Sequence, residues 1–307
     1  MASNRMNYFW SLLKKGFLKK YRVSPQEADG FGALKVGSIF NWMQDSMDEY
    51  SSVLGVGADY CQEHGINYAL RSSEVDVLSL PVRGVSVPVH TSLRGLTPVG
   101  FVLQQNMYDP SFRNILLSAT SQVVLLNATD GHWVRANRYL PAFITEAIES
   151  KPYSLPLIPP QGRVDSVYDE VVPWDYIDAN QHVNNARYVE MATKGLSPIQ
   201  LKQMYLRHIA ANFKHAAKCG EHLQVQTQVN PGSSLHRIVS KDNNDQTCAK
   251  LYFEWAKRNM RYHEKVMSQE VPQAPEEPRV KVFAVDKTKK TSYTPAKRIR
   301  GANGYVY

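Results

Sequence analysis

Asp178-Ala179-Asn180-Gln181-His182-Val183-Asn184-Asn185-Ala186-Arg187-Tyr188-Val189-Glu190 is the stretch around which the chain reads. Asp178, Asn180 and His182 stand at alternate positions. A β-branched residue and two Asn then lead into a segment with helical spacing, Val183 to Lys194. Upstream, Ser166–Trp174 reads as a strand that runs into a turn. A strand, a polar turn and a helix start direct unpaired backbone N–H groups at one small volume. The same turn delivers a carboxylate, an amide and an imidazole there, a set that can polarise a carbonyl and activate a water. Asp and Asn before a helix also serve as caps and turn formers, and a histidine can be structural. The bare triplet leaves both roles open.

Working outward, the order strand, turn, helix, strands occurs twice. In the first half Lys19–Ser24 reads as a strand and Glu27–Gly32 as a Gly-rich turn. Leu34–Leu54 is a long helix with apolar steps of three and four at Val36, Ile39, Phe40, Met43, Met47, Tyr50, Val53 and Leu54, stopped by Gly55 and Gly57. Strands follow at Tyr68–Leu78, Val85–Arg94, Val99–Tyr108 and Ile115–Leu126. Residues 145–163 hold Pro152, Pro156, Pro159 and Pro160 and read as a semi-rigid linker. The second half has its strand, turn and helix, then strands at Tyr205–His215, His222–Asn230, His236–Ser240 and Thr247–Lys257. The class is α+β, with the repeat visible in element order and not in residues. The divisions are an extension at 1–16, a first domain at 17–144, the linker at 145–163, a second domain at 164–263 and a tail at 264–307.

The longer string D-x-N-x-H-V-N-N-x-x-Y resembles the second-half motif of the acyl-acyl-carrier-protein (acyl-ACP) thioesterases, and the resemblance runs from about Phe17 to about Trp255. It implies a double hotdog fold, two tandem units in which an antiparallel sheet wraps a long helix. It implies a fatty-acyl thioester as substrate, carried on acyl carrier protein or CoA, with no cofactor and no metal. Asn180 would hold the thioester carbonyl or the water, His182 would act as general base, and Asp178 would orient His182 or the water. Backbone N–H groups at Val183 and Asn184 would bind the oxyanion. The chain departs from the family at Ala216, where the members carry a Glu, and at Ala217, where plant members carry a Cys. A missing general-base partner costs on the order of 10²–10⁴ in rate. Asp45 on the first helix, or Asp178 itself, could compensate. Two functions follow: a thioesterase running on Asp178, Asn180 and His182, or a non-catalytic descendant docked by its basic ends in a larger assembly, a mitochondrial one being a candidate.

Composition bounds the rest. With 307 residues and 43% apolar content the chain can bury a substantial core, and no apolar run approaches the ~18 residues that span a bilayer. Cys61, Cys219 and Cys248 are widely spaced, which indicates neither a disulfide framework nor a zinc site and suits a reducing compartment, a mitochondrial matrix or a bacterial cytoplasm. Of the formal +8, residues 1–26 contribute +6 and residues 279–307 contribute +7, which leaves −5 for the body between them. The acid-free start, with Tyr8–Lys15, suits either an amphipathic or targeting segment or a helix packed on its own domain. The 279–307 stretch could grip a protein or ribonucleoprotein partner; nucleic-acid binding through Lys287–Lys290 and Lys297–Arg300 ranks third. An acidic carrier protein would need a local basic patch on the body, which sequence cannot locate.

Overall fold

The computed structural model describes residues 11–149 and 153–258. The described residues belong to one compact unit, and residues 270–307 lie outside the described residues. The expected partner-gripping stretch 279–307 therefore lies outside them too, as do residues 1–10. Residues 11–15 are helical, and Leu13 is buried against Tyr50, Leu54 and Ile144. That part of the amino-terminal extension packs on its own body.

Among the described residues ten strands are formed: β1 (Phe17–Arg22), β2 (Ile66–Val77), β3 (Ser86–Thr97), β4 (Gly100–Tyr108), β5 (Ile115–Asn127), β6 (Ser166–Val171), β7 (Met204–Phe213), β8 (His222–Asn230), β9 (Ser233–Ser240) and β10 (Gln246–Lys257). Besides the helical residues 11–15, the helices among the described residues are α1 (Val36–Val53), α2 (Ala58–His64), α3 (Ala136–Tyr139), α4 (Ala142–Thr145), α5 (Asn185–Lys194) and α6 (Pro198–Gln203). The strands make one sheet in the order β1-β3-β4-β5-β2-β7-β10-β9-β8-β6. Read inward from one edge, the first half runs 1-3-4-5-2; read inward from the other, the second runs 6-8-9-10-7. Each second-half strand thus takes the place of its first-half counterpart. The halves meet where β2 pairs antiparallel with β7, from Ser72 opposite Asn212 to Asp76 opposite His208.

Apolar spacing explains the two principal helices. Ile39, Phe40, Trp42, Met43 and Tyr50 of α1 are buried, as are Ala186, Tyr188, Val189, Met191 and Ala192 of α5. Both helices share one core with Val75, Ile209, Leu251 and Phe253 of the sheet. Each such side chain contributes about 1.5–3 kcal/mol on burial. α1 and α5 touch, and Gly37 permits the approach, since a Cβ there would lie 1.9 Å from Glu190 Oε1.

The expected elements are present with shifted ends. The strand expected over Ser166–Trp174 stops at Val171, because Pro173 precedes a 3₁₀ turn at Trp174–Tyr176. The helix expected from Val183 starts at Asn185, because Val183 pairs with Ile177 as a β-bridge and Asn184 is the cap, its side chain accepting from Ala186 N. β7 stops at Phe213 instead of His215, because the N–H groups of Lys214 and His215 both turn to the Cys248 carbonyl. Four short helices, α2, α3, α4 and α6, were not anticipated. Ser197-Pro198-Ile199-Gln200 did carry a signal for α6: a capping box with Pro at the first helical turn.

Candidate functional site

The Asp178 turn is built by its own carboxylate. Asp178 Oδ1 accepts from Asn180 N at 2.8 Å and from His182 N at 3.4 Å. Asp178 N donates to the His182 carbonyl and Gln181 N to the Asp178 carbonyl, with Gln181 at φ +63. Asn180 is exposed and His182 half-buried. The turn therefore presents the amide and the imidazole on a rigid frame. Among the described residues, Asp178 Oδ2, the Asn180 side chain and the His182 ring make no hydrogen bond, which leaves them available to a ligand.

Val183 N donates to the Ala217 carbonyl at 2.9 Å, and Asn184 N to the Tyr176 carbonyl at 2.9 Å. These are the two amides expected as oxyanion donors, and the fold spends both of them holding the turn. Tyr188, buried in the core, accepts from Ala217 N at 2.9 Å and clamps the β7–β8 loop onto the same turn. Burial drives the Tyr188 phenol well above its usual pKa, so it stays a neutral acceptor. Sequence reading missed Tyr188, although it is the final letter of the motif. Ala216 lies in the clamped loop and is exposed. The loop's own carboxylate, Glu221, has both oxygens taken: Oε1 by Lys218 N, Oε2 by Ser240 Oγ and Asn243 Nδ2.

Asp45 has partners of its own on β1. Its Oδ2 accepts from Tyr21 OH at 2.6 Å and pairs with Lys19 Nζ at 2.8 Å. Desolvation opposes its charge, and the Lys19 and Tyr21 hydrogen bonds outweigh this to hold its pKa below the usual value. Among the described residues no hydrogen bond or ion pair joins Asp45 to Asp178, Asn180 or His182.

The first half contains the same turn. Asp29 Oδ1 accepts from Phe31 N at 2.8 Å and Ala33 N at 2.9 Å. Asp29 N donates to the Ala33 carbonyl, Gly32 N to the Asp29 carbonyl, and Lys35 N to the Glu27 carbonyl. Ala28 bridges Leu34 as Ile177 bridges Val183, and Gly32 has φ +78 where Gln181 has +63. Bond for bond, Asp29 matches Asp178, Phe31 matches Asn180, Ala33 matches His182 and Leu34 matches Val183. A cleft of about 1650 Å³ opens beside this first turn, with Phe31, Leu34, Ile39, Leu206 and Trp255 among its apolar walls and Arg187 and Glu190 of α5 at its side. No residue from 178 to 184 lines it.

Residues 165–257 match the family model of the acyl-ACP thioesterase C-terminal domain. Among solved structures, the chain is similar to a protein assigned as an oleoyl thioesterase from Lactobacillus plantarum, with TM-score 0.70 and 21% identity over 80% of this chain and 98% of that one. It is similar to the 12:0-ACP thioesterase from Umbellularia californica, with TM-score 0.70 and 17% identity over 79% and 94%. An acyl-ACP thioesterase from Bacteroides thetaiotaomicron gives TM-score 0.69 and 15% identity over 79% and 98%. At these identities the likeness is one of fold. Comparison with curated protein sequences gives no match. Residues 165–257 thus match the acyl-ACP thioesterase C-terminal domain, and along its described length the chain shares the fold of these solved structures.

Proposed function

We propose that the chain is a double hotdog thioesterase that hydrolyses fatty-acyl thioesters at the Asp178 turn. The observation that carries this reading is the pair of matched turns. They agree in backbone hydrogen bonding, and only the second bears an amide and an imidazole. The shared backbone needs the Asp; it has no need of Asn180 or His182.

In this reading the thioester carbonyl oxygen accepts from Asn180 Nδ2, which stabilises the negative charge that develops when water attacks. His182 takes the proton from that water as general base and returns it to the departing sulfur as the C–S bond breaks. Asp178 Oδ2, the oxygen not spent on the turn, orients the water. Val183 and Asn184 hold the turn through their engaged amides. The cleft beside α1 supplies apolar room for the acyl chain. Carrier-protein esters are the favoured substrate because of the family match, with acyl-CoA as the alternative.

The test is hydrolysis by full-length protein of a panel of acyl-ACP and acyl-CoA chain lengths, with His182→Ala as control. Loss of most activity in the variant, with an unchanged melting temperature, is the expected result. Equal turnover by both proteins would reject the assignment.

A further inference from the structure

We infer that Arg71, Lys214, Arg237 and Lys250 form an anion site that takes the phosphate ester of a pantetheine thioester. The identity of the substrate rests on the thioesterase reading above; the site itself rests on the geometry of two β-bulges.

Arg71 is the extra residue of the bulge in β2 between Leu70 and Ser72. A bulge re-aims its side chain, and here the guanidinium donates to the Phe213 carbonyl at the end of β7 and lies over the Trp133 ring at 5.8 Å. The second bulge is in β10, between Thr247 and Ala249. Its Cys248 carbonyl accepts from Lys214 N at 2.7 Å, which fixes the residue after Phe213. Lys250 stands opposite Asn212 of β7 on one side and Arg237 of β9 on the other. Lys250 is exposed between buried Ala249 and Leu251, so it points away from the core. Cross-strand neighbours of this kind lie about 5 Å apart at Cβ.

Among the described residues none of the four cations has a carboxylate partner. The nearby Asp245 gives Arg237 only its carbonyl, and its carboxylate is taken by Lys241 at 2.6 Å. Desolvation lowers the Arg71 pKa. The Lys214 pKa is lowered by desolvation, and then by the charges of Lys250, Arg71 and Arg237. A half-buried guanidinium without a counter-ion and a lysine repelled by its neighbours both gain when an anion binds.

The repeat shows that this charge is local. Leu78 and Ser79 send their N–H groups to the Leu116 carbonyl just as Lys214 and His215 send theirs to Cys248. Matched in this way, and with Asn106 opposite Ser118 as Arg237 is opposite Lys250, the first-half counterparts of Lys214, Lys250 and Arg237 are Leu78, Ser118 and Asn106. All three are neutral. The cations gather near the end of β7, where the chain runs on into the loop that holds Val183 of the Asp178 turn. Lys214 precedes by three residues Ala217, whose carbonyl holds Val183 N, a chain distance of about 10 Å at most.

CoA and the carrier-protein arm share the pantetheine phosphate, so the test uses both. Full-length wild type and Lys214→Ala/Lys250→Ala are compared on acyl-CoA, acyl-ACP and acyl-N-acetylcysteamine, which has no phosphate. The expected result is a fall of roughly tenfold in the preference for both phosphorylated esters over the phosphate-free one, expressed in KM. A fall on acyl-ACP alone would mean a protein-docking face, and a fall on acyl-CoA alone a nucleotide site; either overturns the proposal, as does no change. CoA binding by calorimetry gives a readout independent of hydrolysis. Weaker CoA binding by the variant of a protein that hydrolyses nothing supports the anion site and sinks the thioesterase reading. Hydrolysis with CoA binding identical in both proteins does the reverse.

Discussion

Where the second repeat has Asn180 and His182, the first has Phe31 and Ala33 on the same hydrogen-bonded turn. At the first turn Phe31 lies under the Arg258 guanidinium at 4.2 Å, and Asp29 Oδ2 pairs with Arg258 at 3.0 Å. That turn is held as structure. The comparison teaches that Asp178 and Asp29 share one job, accepting two N–H groups through Oδ1 to close the turn, so the carboxylate is by itself no evidence for chemistry. The amide and the imidazole are what the second turn adds to that frame. The difference extends into the core. Buried His236 contacts Thr227 Oγ1 and Ser234 Oγ at 3.0 and 2.8 Å. Its counterpart Gln105 donates to Thr91 Oγ1 and to the Met43 carbonyl at 3.0 and 2.8 Å.

Giving the second turn the chemistry of the first should have the largest effect. Asn180→Phe/His182→Ala is expected to lower kcat by about 10²–10⁴ while the denaturation midpoint stays within error. Retained turnover would dissolve the distinction between the turns.

The His236–Gln105 difference predicts an acid-sensitive core position in the second repeat where the first repeat has a side chain that does not titrate. Desolvation pushes the His236 pKa down to about 3 from 6.5, so between those values the unfolded chain binds a proton that the folded protein does not. Stability is full above pH 6.5 and falls as pH drops toward 3, by an amount on the order of a few kcal/mol. His236→Gln should flatten that slope in urea denaturation followed from pH 7 to pH 4. An unchanged slope would place the acid sensitivity elsewhere.

Ala216→Glu restores a carboxylate to the loop clamped beside His182. It should raise kcat about tenfold, read in the same hydrolysis assay. No gain would show that Asp178 Oδ2 already serves the water. The smallest effects concern the positive-φ residue of each turn. Gly32→Ala should destabilise by about 1 kcal/mol and Gln181→Gly should stabilise by up to about 1 kcal/mol. Chemical denaturation of the two variants measures both, and equal signs would mean that the turns are not equivalent.

Much of this was legible before any coordinates. The Leu34–Leu54 spacing marked α1 to within two residues, because a buried stripe at steps of three and four has few other uses. Pro and Gly clusters marked the strand boundaries. The short helices escaped because four to seven residues are too few to establish a period. The engaged amides of Val183 and Asn184 escaped because their acceptors, Ala217 and Tyr176, sit on other elements. Asp45 looked available as a compensating acid because sequence does not reveal Lys19 and Tyr21 beside it.

By itself, the sequence determined two helix-and-strand series, a polar turn before the second helix, and the presence of Asn180 and His182 on that turn, all local properties of side-chain type and spacing. Only the tertiary structure decided that an identical turn exists at Asp29, where the residues differ and the backbone bonds do not. It also decided which amides are spent and where Arg71, Lys214, Arg237 and Lys250 meet. Arg71 and Phe213 are 142 positions apart. Charges from three strands and from the residue that follows β7 come together only through pairing register and two bulges, which depend on partners that no local pattern can name.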